Sequence, residues 1–316
     1  MHRLANPAAL APTGARPVIG LVTDRMDWHA RELRKAFAAA GADVVAFDFS
    51  ACAIDTQSAA GIIIAGFGDR LPDAVFVRTM SGGTFEAVTL RLGILHGLRE
   101  CGVPVWNDAR AIERCVDKSA TSFLLARTGI PTPATWAVES REAACPIVRR
   151  ETARGPLVLK PLFGSQGRGL RLIRSEDELP AQDKIAGVYY LQRFVGVDRD
   201  GFHDFRLLVS RGRVVAAMVR HAATWITNVK QGGKPVAAVP DAEMKDLALR
   251  AAAAVGADFA GVDIVYGADG RPTVLEVNSM PAWSGLQKVT QANIAAILVG
   301  DLLATIATRA RHGAAM

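Results

Sequence analysis

Cysteine is scarce and ungrouped in this chain. Cys52, Cys101, Cys115 and Cys145 are the only four in 316 residues, with no CxxC pair and no histidine cluster beside them, which excludes a zinc site of spaced thiolates and a disulfide framework. Long apolar runs are also missing. The longest, such as that around Gly61 to Phe67, fall well short of the ~20 residues a spanning helix needs, so no membrane partner is expected. The stretch before Arg16 has no continuous apolar block between a basic start and a small-residue cleavage site, and residues 1–16 read as a flexible leader. Together these absences suggest a reducing cytoplasm. Aromatic residues make up only 6%, and the basic residues behind the net charge of +6 are scattered, without the Lys/Arg clusters of a nucleic-acid surface. No nucleic-acid partner is expected. An anionic small molecule would account for the charge, as would simple solubility.

With 50% hydrophobic and 22% charged residues, the chain can bury a sizeable core over two or three domains. From Pro17, VIGLVTD reads as a strand, Trp28 to Ala40 as an amphipathic helix stopped by Gly41, and VVAFDF as a second strand. A strand at Ala74 to Val77, a helix from Phe85 to Glu100 and the strand VPVWN come next, an alternation that implies a parallel sheet. The strand VIGLVTD runs into TDRMDWH with no glycine fingerprint, which argues against a nicotinamide dehydrogenase. The rhythm changes near Asp108, setting residues 17–108 apart as an N-terminal domain. Ala109 to Thr128 reads as helical, then strands alternate with charged loops to Tyr190, giving a middle segment of 109–190. The last segment, 191–316, holds strands at Asp204 to Val209 and Val214 to Val219, an Ala-rich helix from Asp241 to Val255, a hairpin, and a closing helix from about Val289 to Thr308.

Three constellations carry chemistry. In VLKPLFGSQGRGL, Val158 to Leu170, Lys160 ends a strand and Gly164, Gly167 and Gly169 come after it in a turn; glycines let backbone N–H groups approach phosphate oxygens, and the lysine adds charge. A plain glycine-rich hairpin satisfies the same turn chemistry. In GVDIVYGADGRPTVLEVN, Asp269-Gly270 marks a hairpin turn between two apolar strands. Alternation puts Glu276 and Asn278 on one face and Leu275 and Val277 on the other. With Asp269-Gly270 as the central turn residues, counting back places Asp263 opposite Glu276. Two carboxylates and an amide oxygen on apolar strands suit magnesium, which takes hard oxygen ligands and completes its shell with phosphates and water; a wet edge hairpin is the alternative. Third, DFRLLVS puts Asp204 and Arg206 on one face of a strand, and AMVRHAATWITNVKQGG presents Arg220, Asn228, Gly232 and Gly233. Fixed guanidinium groups can stabilise developing negative charge without reorganising.

In order and spacing, these segments together resemble the ATP-grasp ligases, and among them the RimK-type amino-acid ligases, from about Pro17 to Thr308. The resemblance implies an α/β ATP-grasp fold, in which an N-terminal parallel-sheet domain precedes two α+β subdomains that clasp ATP. VWNDARAIERCVDKSATSFLLARTGIPTP resembles the family's lead-in, implying that Lys118 reaches the nucleotide phosphates. VLKPLFGSQGRGL resembles its second lysine and flexible glycine loop, implying nucleotide contacts for Lys160, Gly164, Ser165, Gln166, Gly167 and Gly169. YLQRFV resembles the adenine-binding hinge, implying Gln192, Phe194 and Val195, with Asp204 near the ribose. DFR, GVDI and LEVNSMP resemble the closing motifs. They imply that Asp263, Glu276 and Asn278 hold two magnesium (or manganese) ions and that Arg206 and Arg220 face the transferred phosphate with Lys160. Arg220, Asn228, Gly232 and Gly233 would meet the substrate. Arg193 stands where an acidic residue is frequent, and Gln231 where related ligases often carry arginine.

FVRTMSGGTFEAVTLRLGILHGLRECGVPVWND resembles the N-terminal domain of ligases that add glutamate to tetrahydromethanopterin-type cofactors. This implies an ADP-forming ligase that joins L-glutamate to a small acidic acceptor of tetrahydromethanopterin or methanofuran type through an acyl phosphate. A ribosomal-protein or carrier-protein C-terminus as acceptor, a catalytically silent ATP-binding regulator, and a homo-oligomeric state stay open. The six histidines pair with no nucleophile motif and read as surface or supporting residues. Trp225 and Trp283 read as core packing, with pocket lining as the alternative.

Overall fold

The computed structural model describes residues 16–164, 166–196 and 201–313. The expected leader, apart from Arg16, and Ser165 lie outside the described residues. Strand β1 (Val18–Val22), helix α1 (Trp28–Ala39) and strand β2 (Asp43–Phe47) open the chain, followed by a small hairpin of β3 (Ala53–Ile54) and β4 (Ile62–Ile63). Then come β5 (Ala74–Val77), α2 (Phe85–Glu100) and β6 (Val105–Trp106). Four of these strands form a parallel sheet in the order β2-β1-β5-β6. Strand alternation supplies a core on each face: Ile19, Leu21 and Phe76 meet Leu33 and Phe37 of α1, while Val22, Val75 and Val77 meet Ile94, Leu95 and Leu98 of α2. The chain order reverses between β1 and β5, so the loops after them, Thr23–Asp27 and Arg78–Gly83, part at that point. In open parallel sheets this is where ligands enter.

One helix is expected over Ala109 to Thr128, but two form: α3 (Ala109–Val116) and α4 (Lys118–Arg127). Asp117 separates them with extended backbone and accepts from the Ser119 and Ala120 N–H groups, because an aspartate satisfies a helix start better than a helix middle. The break makes Lys118 the first residue of α4. The next sheet is antiparallel, built from β7 (Thr135–Val138), β8 (Leu157–Lys160), β9 (Arg171–Ile173) and β10 (Tyr189–Arg193) in the order β7-β10-β8-β9. Between β7 and β8 runs α5 (Arg141–Thr152), where only loops and strands are expected. Pro146 obscures the pattern, yet Ala144, Cys145, Val148 and Glu151 are buried at helical spacing and Ser140 caps the start. The expected division between 190 and 191 falls inside β10, and the chain leaves this sheet only after Arg193.

Strands β11 (Phe202–Ser210), β12 (Arg213–Ala222) and β13 (Lys234–Ala237), helix α6 (Ala242–Val255), and strands β14 (Phe259–Tyr266) and β15 (Pro272–Asn278) complete the sheets. The five strands form an antiparallel sheet in the order β13-β12-β11-β14-β15. Leu125 of α4 packs in one core with Leu247 and Ala251 of α6 and with Val262 and Val277 of this sheet. A helix expected in the middle segment therefore shares the core of the last one. Short α7 (Ser284–Gln287) leads to α8 (Ile294–Gly313), which starts after the expected Val289. Its Leu298 and Leu302 share a core with Leu33 and Phe37 of α1 and with Met218 of β12, joining the first sheet to the last. Asn107, fully buried, reinforces that joint: its Nδ2 donates to the Phe259 carbonyl at 2.7 Å and its Oδ1 accepts from the Phe259 N–H at 3.1 Å.

Candidate active site

The hairpin of β14 and β15 pairs Asp263 with Glu276 and Gly261 with Asn278. The pairing of Asp263 with Glu276 is the expected one, reached by a different path. The turn closes with Gly267 N–H donating to Arg271 O at 2.9 Å, and Tyr266 pairs with Pro272, one residue out of the expected register. A bulge at Leu275 then restores it between Asp263 and Ile264. The extra residue shifts the faces, so Val274 and Val277 share the core and Leu275, expected beside Val277, does not. Glycine at 261 matters because a Cβ there would lie 2.9 Å from Pro281, whose loop folds back across the sheet.

Even-numbered positions of β11 place Asp204 and Arg206 on the same face, and the register sets Arg206 beside Asp263 and Asp204 beside Arg220. Arg206 grips Asp263 with two bonds, Nε to Oδ1 at 2.7 Å and Nη2 to Oδ2 at 2.6 Å. Arg220, only 2% exposed, forms a fork with both oxygens of Asp204 and also donates to Asp263 Oδ2 at 2.9 Å. Two arginines and two aspartates thus cancel in charge within one buried network. Burial pushes the Asp263 carboxyl up, but Arg206 and Arg220 outweigh it and hold it well below the carboxylate range. Burial alone would lower the Arg220 guanidinium, and its two aspartates raise it instead. Asp204, expected near a ribose, is 4% exposed and has both oxygens engaged by Arg220. In this structure it is a counter-ion.

Across the cleft, Tyr189 and Leu191 of β10 and Leu157 and Leu159 of β8 pack on α5, so the alternate residues Lys160, Tyr190 and Gln192 face the other way. Lys160 Nζ donates to Gln192 Oε1 at 2.6 Å, and Gln192 Nε2 donates to the Tyr190 and Thr135 hydroxyls, both at 3.2 Å. From the start of α4, Lys118 reaches the glycine loop, donating to the Gly164 carbonyl at 2.8 Å and the Leu162 carbonyl at 3.3 Å. Burial lowers both lysines, and Glu276 opposes that shift in each. One cavity is lined by Lys118, Lys160, Gly164, Gln166, Gly167, Asn228 and Glu276. Gly169 borders Pro161, where a Cβ would come within 2.9 Å. Phe194 gives its N–H to the Pro156 carbonyl and packs edge-on against Trp225, and Val195 is the next residue along.

The segment after β12 closes the cavity from above. Gly167 has φ +71°, and a Cβ on it would lie 2.5 Å from Asn228 Oδ1, so the glycine loop rests directly on Asn228. Gln231 touches the same loop, its Nε2 3.4 Å from the Gln166 carbonyl. Gly232 and Gly233 are outside the cavity lining and shape the turn: Gly232 has φ +100°, and a Cβ on Gly233 would fall 1.9 Å from the Thr227 carbonyl. Arg193 pairs with Glu151 of α5, which absorbs its charge away from the cleft.

The donor set fits magnesium. Glu276 lines the cavity and offers hard carboxylate oxygens, Asp263 has both oxygens held by Arg206 and Arg220 and can meet a cation only through its remaining lone pairs, and the Asn278 amide nitrogen is buried without a partner among the described residues, so no protein acceptor ties the amide down. Cys115 lies beside this set, and burial pushes its thiol up to about 12.

Sequence reasoning missed the groups that join the first domain to this site. His29 Nε2 accepts from the Trp283 and Ser284 N–H groups at 3.1 and 3.2 Å, and its Nδ1 lies 3.0 Å from Asp27 Oδ2. Two backbone N–H groups can only donate, so Nε2 is bare and the proton is left to Nδ1, which faces Asp27 and also lies 3.1 Å from the Arg78 Nη2 donor. Burial and Arg78 push this imidazole down to about 4.

A two-lobed clasp around two cleft lysines, a glycine loop and a carboxylate–carboxylate–amide set defines an ATP-grasp ligase. A family model, the RimK-like ATP-grasp domain, matches residues 115–302, and the chain belongs to that family. Among curated relatives, the tetrahydromethanopterin:alpha-L-glutamate ligase of Methanosarcina acetivorans is 32% identical over 303 residues, covering 84% of this chain and 92% of that one. Its namesake from Methanocaldococcus jannaschii is 37% identical over 248 residues, covering 75% and 81%. Among solved structures, the ATP-grasp ligase PsnB complexed with a phosphomimetic variant of its minimal precursor, Mg and ADP superimposes with a TM-score of 0.71 at 24% identity, covering 91% of this chain and 98% of that one. Among the described residues no helix is long and apolar enough to cross a membrane.

Proposed function

We propose that this ligase adds L-glutamate to a pterin cofactor of the tetrahydromethanopterin type. The observation that carries the substrate is the reach of the similarity. Coverage of 84% exceeds what residues 115–302 and the short stretch after them can hold, so the likeness extends into the N-terminal domain, beyond the ATP-handling part.

In the proposed reaction a carboxylate oxygen of the acceptor attacks the γ-phosphorus of ATP, and the bond to the β-phosphate oxygen breaks to release ADP. The glutamate amine then attacks the acyl carbon of the acyl phosphate, phosphate leaves, and the amine loses its proton to give the amide. Lys118 and Lys160 hold the phosphates; Gln192, Phe194 and Val195 receive the adenine. Asp263, Glu276 and Asn278 would hold two magnesium (or manganese) ions, whose charge offsets that of the phosphates. The glycine loop, with Gly164, Ser165, Gln166, Gly167 and Gly169, covers the nucleotide and keeps water from the acyl phosphate. Arg206 and Arg220 fix Asp263 and face the transferred phosphate, and Asp204 fixes Arg220 on the side that meets the ribose. Most of the rate then comes from positioning and charge stabilisation. A reducing cytoplasm suits the four free cysteines.

The test is ADP release with ATP, magnesium, glutamate and tetrahydromethanopterin, with mass spectrometry of the acceptor. A product heavier by glutamyl units is expected. Glu276→Ala should abolish it while the protein stays folded. Turnover retained in that variant would sink the metal assignment, and turnover only with peptide C-termini would overturn the pterin assignment.

A further inference from the structure

The loops at the reversal point of the first sheet meet the segment that comes after Asn278. Arg78, at the end of β5, is 6% exposed, and its guanidinium carbon lies 5.4 Å from the centroid of the Trp283 ring, itself fully buried. Among the described residues, each side chain keeps one buried N–H group without an acceptor, Nε in Arg78 and Nε1 in Trp283. Buried donors cost free energy when left unpaired, and two on touching side chains imply a shared missing acceptor. The carboxylate nearest Arg78 does not fill the role: Asp27 Oδ2 is 3.4 Å from Nη2 and is shared with His29. His29 holds the Trp283 backbone and its ring packs edge-on to the indole at 4.7 Å, so the pair is braced before any ligand arrives. Charges of both signs surround the pair: Asp27 and Asp24 act on Arg78 ahead of Arg25, and Lys230 acts on His29.

We propose that Arg78 and Trp283 form a seat for a substrate carboxylate, with the Arg78 Nε–H and the Trp283 Nε1–H as its donors and His29 as the positioning residue that fixes the seat. Arginine suits this task because its planar fork matches a carboxylate. The seat rests on the reading of the protein as a ligase of carboxylate substrates. A carboxylate reaches it from either the amino acid or the acceptor.

The direct test tracks the Trp283 indole N–H resonance, identified by its loss in Trp283→Phe, in the full-length protein with Mg·ADP. Titration with glutarate or L-glutamate should move that resonance in the wild type and leave it unmoved in Arg78→Lys, which keeps the charge and loses the fork. In turnover, Arg78→Lys and Trp283→Phe should raise the KM of one carboxylate substrate by about tenfold, the loss expected for one charge-assisted bond, with the KM for ATP unchanged. Whether that substrate is glutamate or the acceptor names the source. A resonance unmoved by both probes, or moved equally in Arg78→Lys, would assign the two donors to a bound water and overturn the seat. An Arg78-dependent shift without ligation of the pterin would leave the seat standing and overturn the acceptor assignment alone.

Discussion

Replacing Arg220 with methionine separates what the buried charge network does for folding from what it does for catalysis. In the native chain Arg220 satisfies both oxygens of Asp204 and one of Asp263, with all three side chains nearly inaccessible. Without the guanidinium, Asp204 is a buried carboxylate with no counter-ion among the described residues, a situation that costs roughly 3–5 kcal/mol. That is a large part of the ~5–15 kcal/mol available to a folded protein. Changing Asp204 to leucine in the same chain removes the stranded charge, and Asp263 keeps its two bonds from Arg206. The double variant should therefore recover all but about 1–2 kcal/mol, as isosteric apolar replacement of buried pairs does elsewhere. Urea unfolding at constant m-value measures the three free energies, and ADP release should be lost in both variants because Asp263 is held by one arginine only. If Arg220→Met costs under about 1 kcal/mol, or if the double variant is no more stable than the single, the counter-ion assignment for Asp204 is wrong.

Gly167→Ala should lower kcat on the order of 10²-fold with little loss of stability, since φ +71° and a Cβ 2.5 Å from Asn228 Oδ1 both oppose the docked loop; steady-state kinetics check it, and unchanged kcat would remove the loop contact from the mechanism. The His29 clamp has a defined pH dependence. Its imidazole is held at about 4 against an ordinary 6.5, so its contribution is complete above about 6.5 and declines as pH falls toward 4, because only the unfolded chain takes up the proton in that window. At about 1.4 kcal/mol per pH unit, the wild type minus His29→Gln difference in unfolding free energy should shrink by roughly 2–3 kcal/mol between pH 7 and 4. The difference is the quantity to plot, because Asp258, pushed up to about 6 by burial, titrates over the same range with the opposite sign. A difference that stays flat would mean His29 is not a neutral clamp.

Local pattern carried the first sheet, since strands of period 2 alternate there with capped helices, and it carried the pairing of Asp263 with Glu276. It carried the latter with an error that cancels: the turn shifts the register by one residue and the bulge at Leu275 shifts it back. Helix α5 was hidden by Pro146, whose cost is outweighed by the apolar face buried under the second sheet. The ribose role of Asp204 came from the resemblance, and only the register of β11 against β12 reveals that Arg220 also holds its oxygens. His29 and Arg78 carry no local signal at all. One opens a helix and the other ends a strand about fifty residues on, and their partner Trp283 lies 254 residues from His29. Such a site is legible only once the first and last domains share a core.

The central claim is that a carboxylate is activated by phosphoryl transfer before the amine attacks. It is tested most directly by running the ligation with an acceptor whose carboxylate carries oxygen-18 and analysing the phosphate released. The account predicts one labelled oxygen in the phosphate for each amide formed, carried over from the acyl phosphate. Amide formation with unlabelled phosphate would contradict it.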